Sequence, residues 1–510
     1  MEAATPPATH SRNLVLAAMI FAVAMTFIDQ TIVSIAAPNI QHKLGLTNTG
    51  VQWAVNAYLL SLAAMFAFGG RLADTVGHRK MVTLGVIVFA TASALCGLTP
   101  KGSLAEGWIV TFRVVQGIGG AIMFPAALAI VVQTYELRER GRALALFFGI
   151  AGGLTAIGPI LGGFLTQWTW RAIFWVNIPV ALIALVLIFI SKPVTVHRPA
   201  RMDYRGVVLI AAGVALSVFG FQQSSIWGWS DPATYACIAA GVVILVIFYF
   251  VELGTRSPLI QVSIFRVRAF FVQNLVLAVA MLVFIPVFFF ASEYAQVALD
   301  KSPSNASLVL LYFFIGFVVA AQIGGRLLDR RGAKQPVVVG CALAAVGFWL
   351  WSRKVTGLNF SKQEIDVIIA GAGMGLMVGP ATTDAVNRAG NLSYGEATGI
   401  TQTVRNFAAS LGFAILGTIL VDRLRSRVTS SLIARHVPSA RAHVVAARLS
   451  QARGSGSTSA IAHFIRLDFA YATRSVLEVI AAVMLVAAII AIVGLRRGLQ
   501  EAVVTEPASA

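Results

Sequence analysis

The chain has 510 residues, of which 58% are hydrophobic and 12% are charged, and its formal net charge is +18. A chain of this length with so little charge is not expected to stay dissolved in water, so the composition excludes an ordinary soluble protein and indicates a membrane protein. The positive charge is then expected in loops next to anionic lipid. We expect no nucleic-acid partner, because no basic region falls on a segment that could fold as a soluble domain.

Apolar segments long enough to cross a bilayer recur along the whole chain, which predicts an all-α membrane protein. We predict fourteen spans, with the bounds 14–36, 52–70, 82–98, 107–134, 142–168, 172–191, 206–225, 233–252, 269–293, 306–326, 335–352, 365–388, 396–421 and 469–495. An even number of spans places both termini on one side. Because the loops of that side hold most of the lysines and arginines, we expect both termini in the cytoplasm and the protein in the cell (inner) membrane.

One predicted loop departs from this charge pattern. Residues 422–468 hold eight arginines, yet the count of spans places them outside. Basic and apolar residues recur there at helical spacing, and the stretch 454–458 interrupts them. We predict two short amphipathic helices near the outer surface that flank a flexible turn. The alternative is a cytoplasmic segment, which the arginines favour and which requires an odd number of earlier spans.

An internal repeat divides the spans into two sets. The sequence GRLADTVGHRK, from Gly70, reappears as GRLLDRRGAKQ, from Gly325, at an offset of 255 residues. Such a repeat indicates two six-helix halves with a site between them near the bilayer midplane. The predicted parts are an N-terminus 1–13, an N-terminal half 14–191, an inserted helix pair with linkers 192–268, a C-terminal half 269–495 and a tail 496–510.

The first span places Asp29 just past mid-depth. A carboxylate at that depth needs water or a partner, and it can take up a proton there, so Asp29 is a candidate proton carrier. The alternative is a structural role, with Asp29 bonded to the backbone or to Arg113. The helical rise puts Arg113 about 8 Å further out than Asp29, which predicts that a direct pair needs a stretched side chain.

The loop that begins at Gly70 combines turn-forming glycines with a carboxylate and several basic residues. Its candidate gating residues are Gly70, Arg71, Asp74, Gly77, Arg79 and Lys80, and those of the repeat are Gly325, Arg326 and Asp329. The Asp74 carboxylate can lie at the positive end of a helix from the other half, with the basic residues paired around it. The alternative, ordinary positive charge on a cytoplasmic loop, explains only Arg79 and Lys80.

The fourth span contains two polar side chains, Arg113 and Gln116, in the sequence RVVQGIGGAIMFP. An arginine at that depth costs roughly 2.5 kcal/mol or more to insert, so it is expected to face a cavity or a partner. We take Gln116 as a candidate for the substrate cavity. The position 255 residues further on is Ile368, so the second half does not repeat the arginine.

The fifth span is rich in glycine. Its candidate motif residues are Gly149, Gly153, Gly158, Pro159, Gly162 and Gly163. Glycines four residues apart place small residues on one helix face, which permits close packing against another helix. The proline predicts a bend within a helix that moves. The alternative is a glycine face that only packs closely.

The second half has its own polar residues within spans. Asp384 lies in the inner third of the twelfth span, and Gln402, Arg405 and Asn406 share one face of the thirteenth. With Asp29 and Gln116, these four are the candidate substrate-cavity residues. Glu293, at the outer end of the ninth span, is expected to be solvated. The three cysteines lie singly in apolar runs, which predicts no metal site.

Together these segments resemble the major facilitator superfamily, and within it the fourteen-span drug:proton antiporters, over nearly the whole chain. Gly70–Lys80 is similar to the superfamily's signature loop, Arg113–Pro125 to its fourth-helix motif, and Phe27–Pro38 to the first-helix motif of the fourteen-span family. Gly149–Gly163 is similar to the antiporter motif, with Leu154 where a further glycine often stands. The resemblance implies two six-helix halves plus two central helices. It also implies that the signature loop closes the cytoplasmic side and that Arg113 takes part in proton coupling.

The function that this resemblance favours is proton-coupled efflux, or antiport, of organic, hydrophobic or cationic compounds by alternating access. Asp29 and Arg113 would couple protons, and Asp29 and Asp384 would attract a cation. The expected partners are a small organic substrate, protons and the lipid bilayer, with no cofactor beyond the proton gradient, and we expect a functional monomer. One alternative is a narrow exporter of a single metabolite, antibiotic or lipid. A channel or membrane enzyme is a third hypothesis, although the sequence contains no Walker A loop and no HExxH motif.

Overall fold

The computed structural model describes residues 9–135, 137–193, 202–389, 394–451, 463–496 and 498. The helices of the first half are α1 (Thr9–Leu44), α2 (Asn48–Val76), α3 (His78–Gly97), α4 (Ala105–Thr134), α5 (Leu137–Trp168), α6 (Ala172–Trp175) and α7 (Asn177–Ser191). The inserted pair is α8 (Tyr204–Trp227) and α9 (Pro232–Gly254). The second half consists of α10 (Arg268–Glu293), α11 (Pro303–Arg331), α12 (Lys334–Lys354), α13 (Glu364–Asn387), α14 (Tyr394–Ile433), α15 (Ser439–Gln451) and α16 (His463–Gly494).

The predicted all-α membrane fold is confirmed. Within the described residues, 13 helical segments are long and apolar enough to cross a membrane, with α6 and α7 together forming one of them. The predicted fifth span corresponds to α5, which has 32 residues and whose side chains are described only in part. Most helices extend beyond the predicted spans, because hydropathy marks the apolar core while helical hydrogen bonding continues into the polar layers.

The predicted outer segment 422–468 differs from its prediction. No glycine or proline occurs between Asp422 and Val437, and α14 therefore continues unbroken to Ile433. Of the two predicted amphipathic helices only α15 is a separate helix, and residues 463–468 already belong to α16. The predicted turn at 454–458 lies outside the described residues. The Ser431 hydroxyl donates to Asp468 Oδ1 at 3.0 Å, which joins the extension of α14 to α16.

Each half contains the same close contact between two helices, at a glycine that lies one residue before the repeated GRL sequence. A Cβ at Gly69 would collide with the backbone carbonyl of Ala121, and a Cβ at Gly324 would collide with that of Leu376 at 2.6 Å. Both pairs obey the 255-residue offset. The packing of α2 on α4 and of α11 on α13 therefore depends on the glycine that precedes each GRL sequence.

The loops that follow these two helices lie at the same end of the bundle, which we call the basic end. The described contacts between the halves include three toward the other end, which we call the opposite end. Gln296 Nε2 donates to the carbonyl of Ile35 at 2.9 Å, and Gln167 Nε2 donates to the hydroxyl of Ser304. The Ser410 hydroxyl of α14 donates to Asn56 Oδ1 of α2 at 2.6 Å. These contacts join the turn after α10 to α1, α11 to α5, and α14 to α2.

The inserted pair packs beside this last contact. Asn56 Nδ2 donates to Gln222 Oε1 of α8 at 2.7 Å, so that one buried amide joins α2, α8 and α14. Nearer the basic end, Arg71 Nη2 donates to the hydroxyl of Ser257, just after α9, at 2.5 Å. The inserted helices therefore contact both halves rather than lying apart as a separate unit.

Candidate functional site

Asp29, Arg113 and Gln116 form a closed hydrogen-bonded ring between α1 and α4. Arg113 Nη1 lies 2.6 Å from Asp29 Oδ2 and 2.8 Å from Gln116 Oε1. Gln116 Nε2 donates to the other carboxylate oxygen, Oδ1, at 2.9 Å. All three side chains are buried, with exposed fractions of 0 to 1%. Both carboxylate oxygens of Asp29 therefore accept a hydrogen bond, and the amide of Gln116 both donates and accepts one. Buried polar groups need such partners because water does not reach them.

Arg113 is held from α2 as well. Its Nε donates to the backbone carbonyl of Ala54 at 2.8 Å, and its guanidinium carbon lies 4.5 Å from the centre of the Tyr58 ring. Ala54 and Tyr58 are one turn apart, so a single face of α2 supplies both contacts. The Tyr58 contact is a cation–π interaction, which is stronger where the cation is desolvated. Tyr58 was not predicted as a site residue, because an aromatic residue in a span resembles ordinary core.

The sequence predicts that a direct pair of Asp29 with Arg113 needs a stretched arginine side chain, and the two residues do pair directly. The depth estimate counted helical rise along two separate helices and took the Cα positions as the ends of the pair. An arginine side chain is long enough to cover several ångströms along the helix, and the observed bond of 2.6 Å shows that it does so here. Asp29 is therefore paired directly with Arg113, which is one of the two bonding partners named for it in the structural alternative.

Asp384 lies in a second buried polar cluster, near the basic end. Arg388 Nε lies 2.9 Å from both of its carboxylate oxygens, and Gln273 of α10 donates to Oδ2. Asp384 is 2% exposed and Arg388 is 27% exposed, so the pair extends from the bundle interior toward the basic end. Neither Gln273 nor Arg388 was predicted. Arg388 could have been found from its i, i+4 spacing to Asp384.

Gln402, Arg405 and Asn406 lie together on α14, as predicted. Arg405 Nη1 donates to Gln402 Oε1 at 2.8 Å, and Asn406 Nδ2 donates to the backbone carbonyl of Gln402 at 2.8 Å. Gln402 and Asn406 are buried, whereas Arg405 is partly exposed. The cluster is bonded within its own helix, so these contacts do not join it to Asp29 or to Asp384.

The predicted gating residues are arranged differently in the two halves. Asp74 Oδ1 accepts from His78 Nε2 at 3.0 Å, across the turn between α2 and α3, and Arg71 bonds to Ser257 as described above. Gly77 has φ +109°, a backbone conformation that favours glycine, and the equivalent Gly332 has φ +79°. The remaining predicted members are placed at the surface, with Arg79, Gly70 and Gly325 partly exposed and Lys80, Arg326 and Asp329 exposed.

The glycine motif of α5 lies against both halves. A Cβ at Gly158 would collide with the Thr31 hydroxyl, and one at Gly162 would lie 3.0 Å from Ile32, so both glycines pack on α1. Gly163 instead faces α11, where a Cβ would lie 2.7 Å from the Ser307 hydroxyl. Pro159 is buried within an unbroken helix. The surroundings of Gly149 and Gly153 lie outside the described side chains.

The end of α10 forms a π-helical turn, Tyr294–Ala298, which carries Gln296 to its contact with the first half. Turns of this kind occur often at functional sites. The prediction that Glu293 is solvated is wrong, because its side chain is only 4% exposed. The folded bundle covers this side chain, which a hydropathy profile does not show.

The sequence model of one protein family, the Major Facilitator Superfamily, matches residues 19–413, which is most of this chain. The chain belongs to the Major Facilitator Superfamily. It is therefore a multi-pass membrane transporter and not an enzyme, and the two six-helix halves with their inserted pair are a version of this superfamily's fold.

Curated relatives within the superfamily are export and resistance proteins. The tetracenomycin C resistance and export protein of Streptomyces glaucescens is 34% identical over 80% of this chain and 76% of its own length. The puromycin resistance protein of Streptomyces alboniger is 31% identical over 79% of this chain and 81% of its own length. Similarity to such proteins supports an efflux transporter.

Among solved structures, a bacterial homologue of the human lysosomal transporter Spinster, in an inward-facing and unoccupied conformation, has a TM-score of 0.62. It is 15% identical, and the alignment covers 96% of this chain and 98% of that one. At this level of identity the match shows that the major facilitator fold is shared.

Proposed function

We propose that this superfamily member exports hydrophobic organic compounds from the cytoplasm in exchange for protons, by alternating access between its two halves. The observation that carries the proposal is the buried ring of Asp29, Arg113 and Gln116, because it places a proton-accepting carboxylate against a fixed positive charge inside the bundle. A proton that binds an Asp29 oxygen removes the negative charge that holds Arg113. The ion pair between α1 and α4 then becomes a weaker hydrogen bond.

Alternating access requires contacts between the halves that can break and re-form. The three described contacts toward the opposite end are hydrogen bonds between neutral groups, made by Gln296, Gln167 and Ser410, so each can break at a modest free-energy cost. At the basic end, Asp74 is paired with His78 of its own loop. We propose that this arrangement is the inward-open state, with the opposite end closed and the basic end in the cytoplasm.

A narrow exporter of one compound is a second candidate. The two relatives described above are named for single antibiotics, which favours it. In both cases the expected location is the cell inner membrane, with both termini in the cytoplasm and the monomer as the working unit.

The test is transport into inside-out membrane vesicles energised by a proton gradient, over a panel of hydrophobic compounds. Uptake that a protonophore abolishes, compared with vesicles lacking the protein, supports the proposal. Uptake that persists without a gradient contradicts proton coupling. Uptake of one compound and no other favours the narrow exporter.

A further inference from the structure

The two carboxylates expected to attract a cationic substrate are both already paired with arginine. Asp29 bonds Arg113 at 2.6 Å, and Asp384 bonds Arg388 at 2.9 Å. A cationic substrate would have to displace a guanidinium that makes several hydrogen bonds, and displacement would leave that guanidinium buried and uncompensated. The interior of the described bundle is therefore poorly suited to receive a cation at either position.

Arg405, in contrast, is a charged side chain of a membrane-spanning helix that is bonded to a neutral partner. Its hydrogen bond in the described part of the chain is to a neutral group, Gln402 Oε1, at 2.8 Å. No carboxylate of the described residues lies within ion-pair distance of it, whereas Arg113, Arg388 and Arg474 each have one. A cation in a membrane-spanning helix without a counter-charge is expensive, and such residues mark the paths of ions and substrates.

The partly exposed Arg405 lies on a face of α14 that is otherwise covered. Residues on the same helical face one and two turns further along α14, Ala409 and Gly412, are buried or packed against another helix. A Cβ at Gly412 would collide with the backbone carbonyl of Leu282 in α10. Since that face of α14 is covered by α10 there, the partial exposure of Arg405 one turn nearer the basic end is an opening inside the bundle.

The neighbouring donors suit an anion. Thr401 lies one turn before Arg405 on the same face, is fully buried, and has a hydroxyl without a hydrogen-bond partner in the described structure. A guanidinium has only donors, and its planar fork matches a carboxylate or another oxyanion. Gln402 accepts from Nη1 and so orients the fork.

Glu293 is another buried acid of the second half, and it is too distant to compensate Arg405. The contact of Gly412 with Leu282 sets the register of the parallel helices α10 and α14. Arg405 precedes Gly412 by seven residues and Glu293 follows Leu282 by eleven. At the helical rise per residue the two groups are about 27 Å apart along the bundle.

We propose that Arg405, oriented by Gln402 and assisted by the Thr401 hydroxyl, binds the anionic group of the transported compound. The substrate class is therefore amphipathic organic anions, with a carboxylate or comparable oxyanion on an apolar body. This inference rests on the proposed export function and replaces the expectation of a cationic substrate.

The test is equilibrium binding to the purified full-length protein in detergent, without any proton gradient. The probes are three compounds with one ring system: anthraquinone-2-carboxylate, its neutral carboxamide, and a trimethylammonium-methyl derivative. Arg405→Gln is expected to weaken binding of the carboxylate by about tenfold or more and to leave the carboxamide unchanged. Arg405→Lys should retain part of the affinity, since it keeps the charge and loses the fork. Thr401→Val should cause a smaller loss.

Arg474→Gln is the matched control, because Arg474 is also in a membrane-spanning helix but is paired with Glu478 at 2.8 Å. It should leave binding of all three probes unchanged. The inference is overturned if wild type binds the cation more tightly than the carboxylate, if it does not bind the carboxylate, or if Arg405→Gln and Arg405→Lys both bind it normally. Because no gradient is present, failure of proton coupling in the vesicle assay leaves this result unaffected, and the two proposals can fail separately.

Discussion

At the scale of residues, Asp29 and Arg113 stabilise each other where neither would be stable alone. Both are buried, and the ring with Gln116 uses both carboxylate oxygens. The desolvation of two charges is costly, and this geometry offsets it only while both partners are present and charged. A proton delivered to Asp29 therefore acts on the contact between α1 and α4.

We predict that Asp29→Asn abolishes proton-driven export while the protein still folds and inserts. Asparagine keeps the volume and an acceptor for Arg113 but cannot carry the proton. The measurement is transport against a gradient in vesicles, with size-exclusion profiles as the folding check. Asp366→Asn is the control, because Asp366 pairs with a half-exposed lysine at the far end of α13. Export by the Asp29 variant at the wild-type rate means that another group couples protons.

We predict that Arg113→Lys loses most transport activity and that Arg113→Ala loses all of it. A lysine keeps the charge, but it cannot donate simultaneously to Asp29, Gln116 and the Ala54 carbonyl as the guanidinium does. Initial rates of both variants decide between charge and geometry, with the exposed Arg353→Lys as control. Full activity of the lysine variant would show that charge alone suffices.

At the scale of elements, α5 packs closely against two different helices at its glycines. Gly158 and Gly162 face α1, which carries Asp29, while Gly163 faces α11 of the other half. The glycine motif therefore connects α1, the helix that carries Asp29, to the contact between halves. A change in α1 on protonation can shift α5 against α11.

We predict that Gly158→Ala lowers both thermal stability and transport. The new Cβ collides with the Thr31 hydroxyl and approaches the Ile28 carbonyl to 3.0 Å, so α5 has to move away from α1. Gly379→Ala is the matched control, since it also lies within a helix and its Cβ meets no atom within 4 Å. Its expected effect is neutral or slightly stabilising. Equal effects in the two variants would contradict the packing explanation.

At the scale of the whole molecule, the contacts toward the opposite end suggest how the halves separate. We predict that cysteines at Gln167 and Ser304, joined by a short thiol-specific cross-linker in a background without native cysteines, stop transport reversibly. The two side chains are hydrogen-bonded across α5 and α11. Ser93 and Asn177, bonded at 2.9 Å within the first half, form the control pair, which should remain active when joined. An active cross-linked Gln167–Ser304 pair contradicts separation at this end.

The side of the segment 422–468 is a second property of the whole molecule. We predict that an impermeant thiol reagent labels Ser455→Cys in intact cells, because fourteen spans with cytoplasmic termini place this segment outside. Position 455 lies outside the described residues. The experiment tests the topology directly, because the reagent reaches only residues outside the cell. Labelling only after permeabilisation would overturn both the predicted orientation and the span count.

The type and order of the membrane helices could be read from the sequence, because each depends on the local run of apolar residues, and 13 of the predicted spans match long apolar helices of the described residues. The 255-residue repeat likewise indicated the two halves and the inserted pair. Asp29, Arg113 and Asp384 were identified because a charge inside an apolar span is anomalous without any knowledge of its neighbours.

Which groups meet could not be read in this way, since pairing depends on helix rotation and on side-chain reach. The ring of Asp29 with Arg113 and Gln116, the pairing of Asp384 with Arg388 and Gln273, and the burial of Glu293 all come from packing between distant segments. The same holds for Arg405, which bonds the neutral Gln402 and has no carboxylate within ion-pair distance among the described residues. Charge in a span is a local property of the sequence, whereas compensation of that charge is decided by the tertiary structure, because the partner lies on another helix or an adjacent turn.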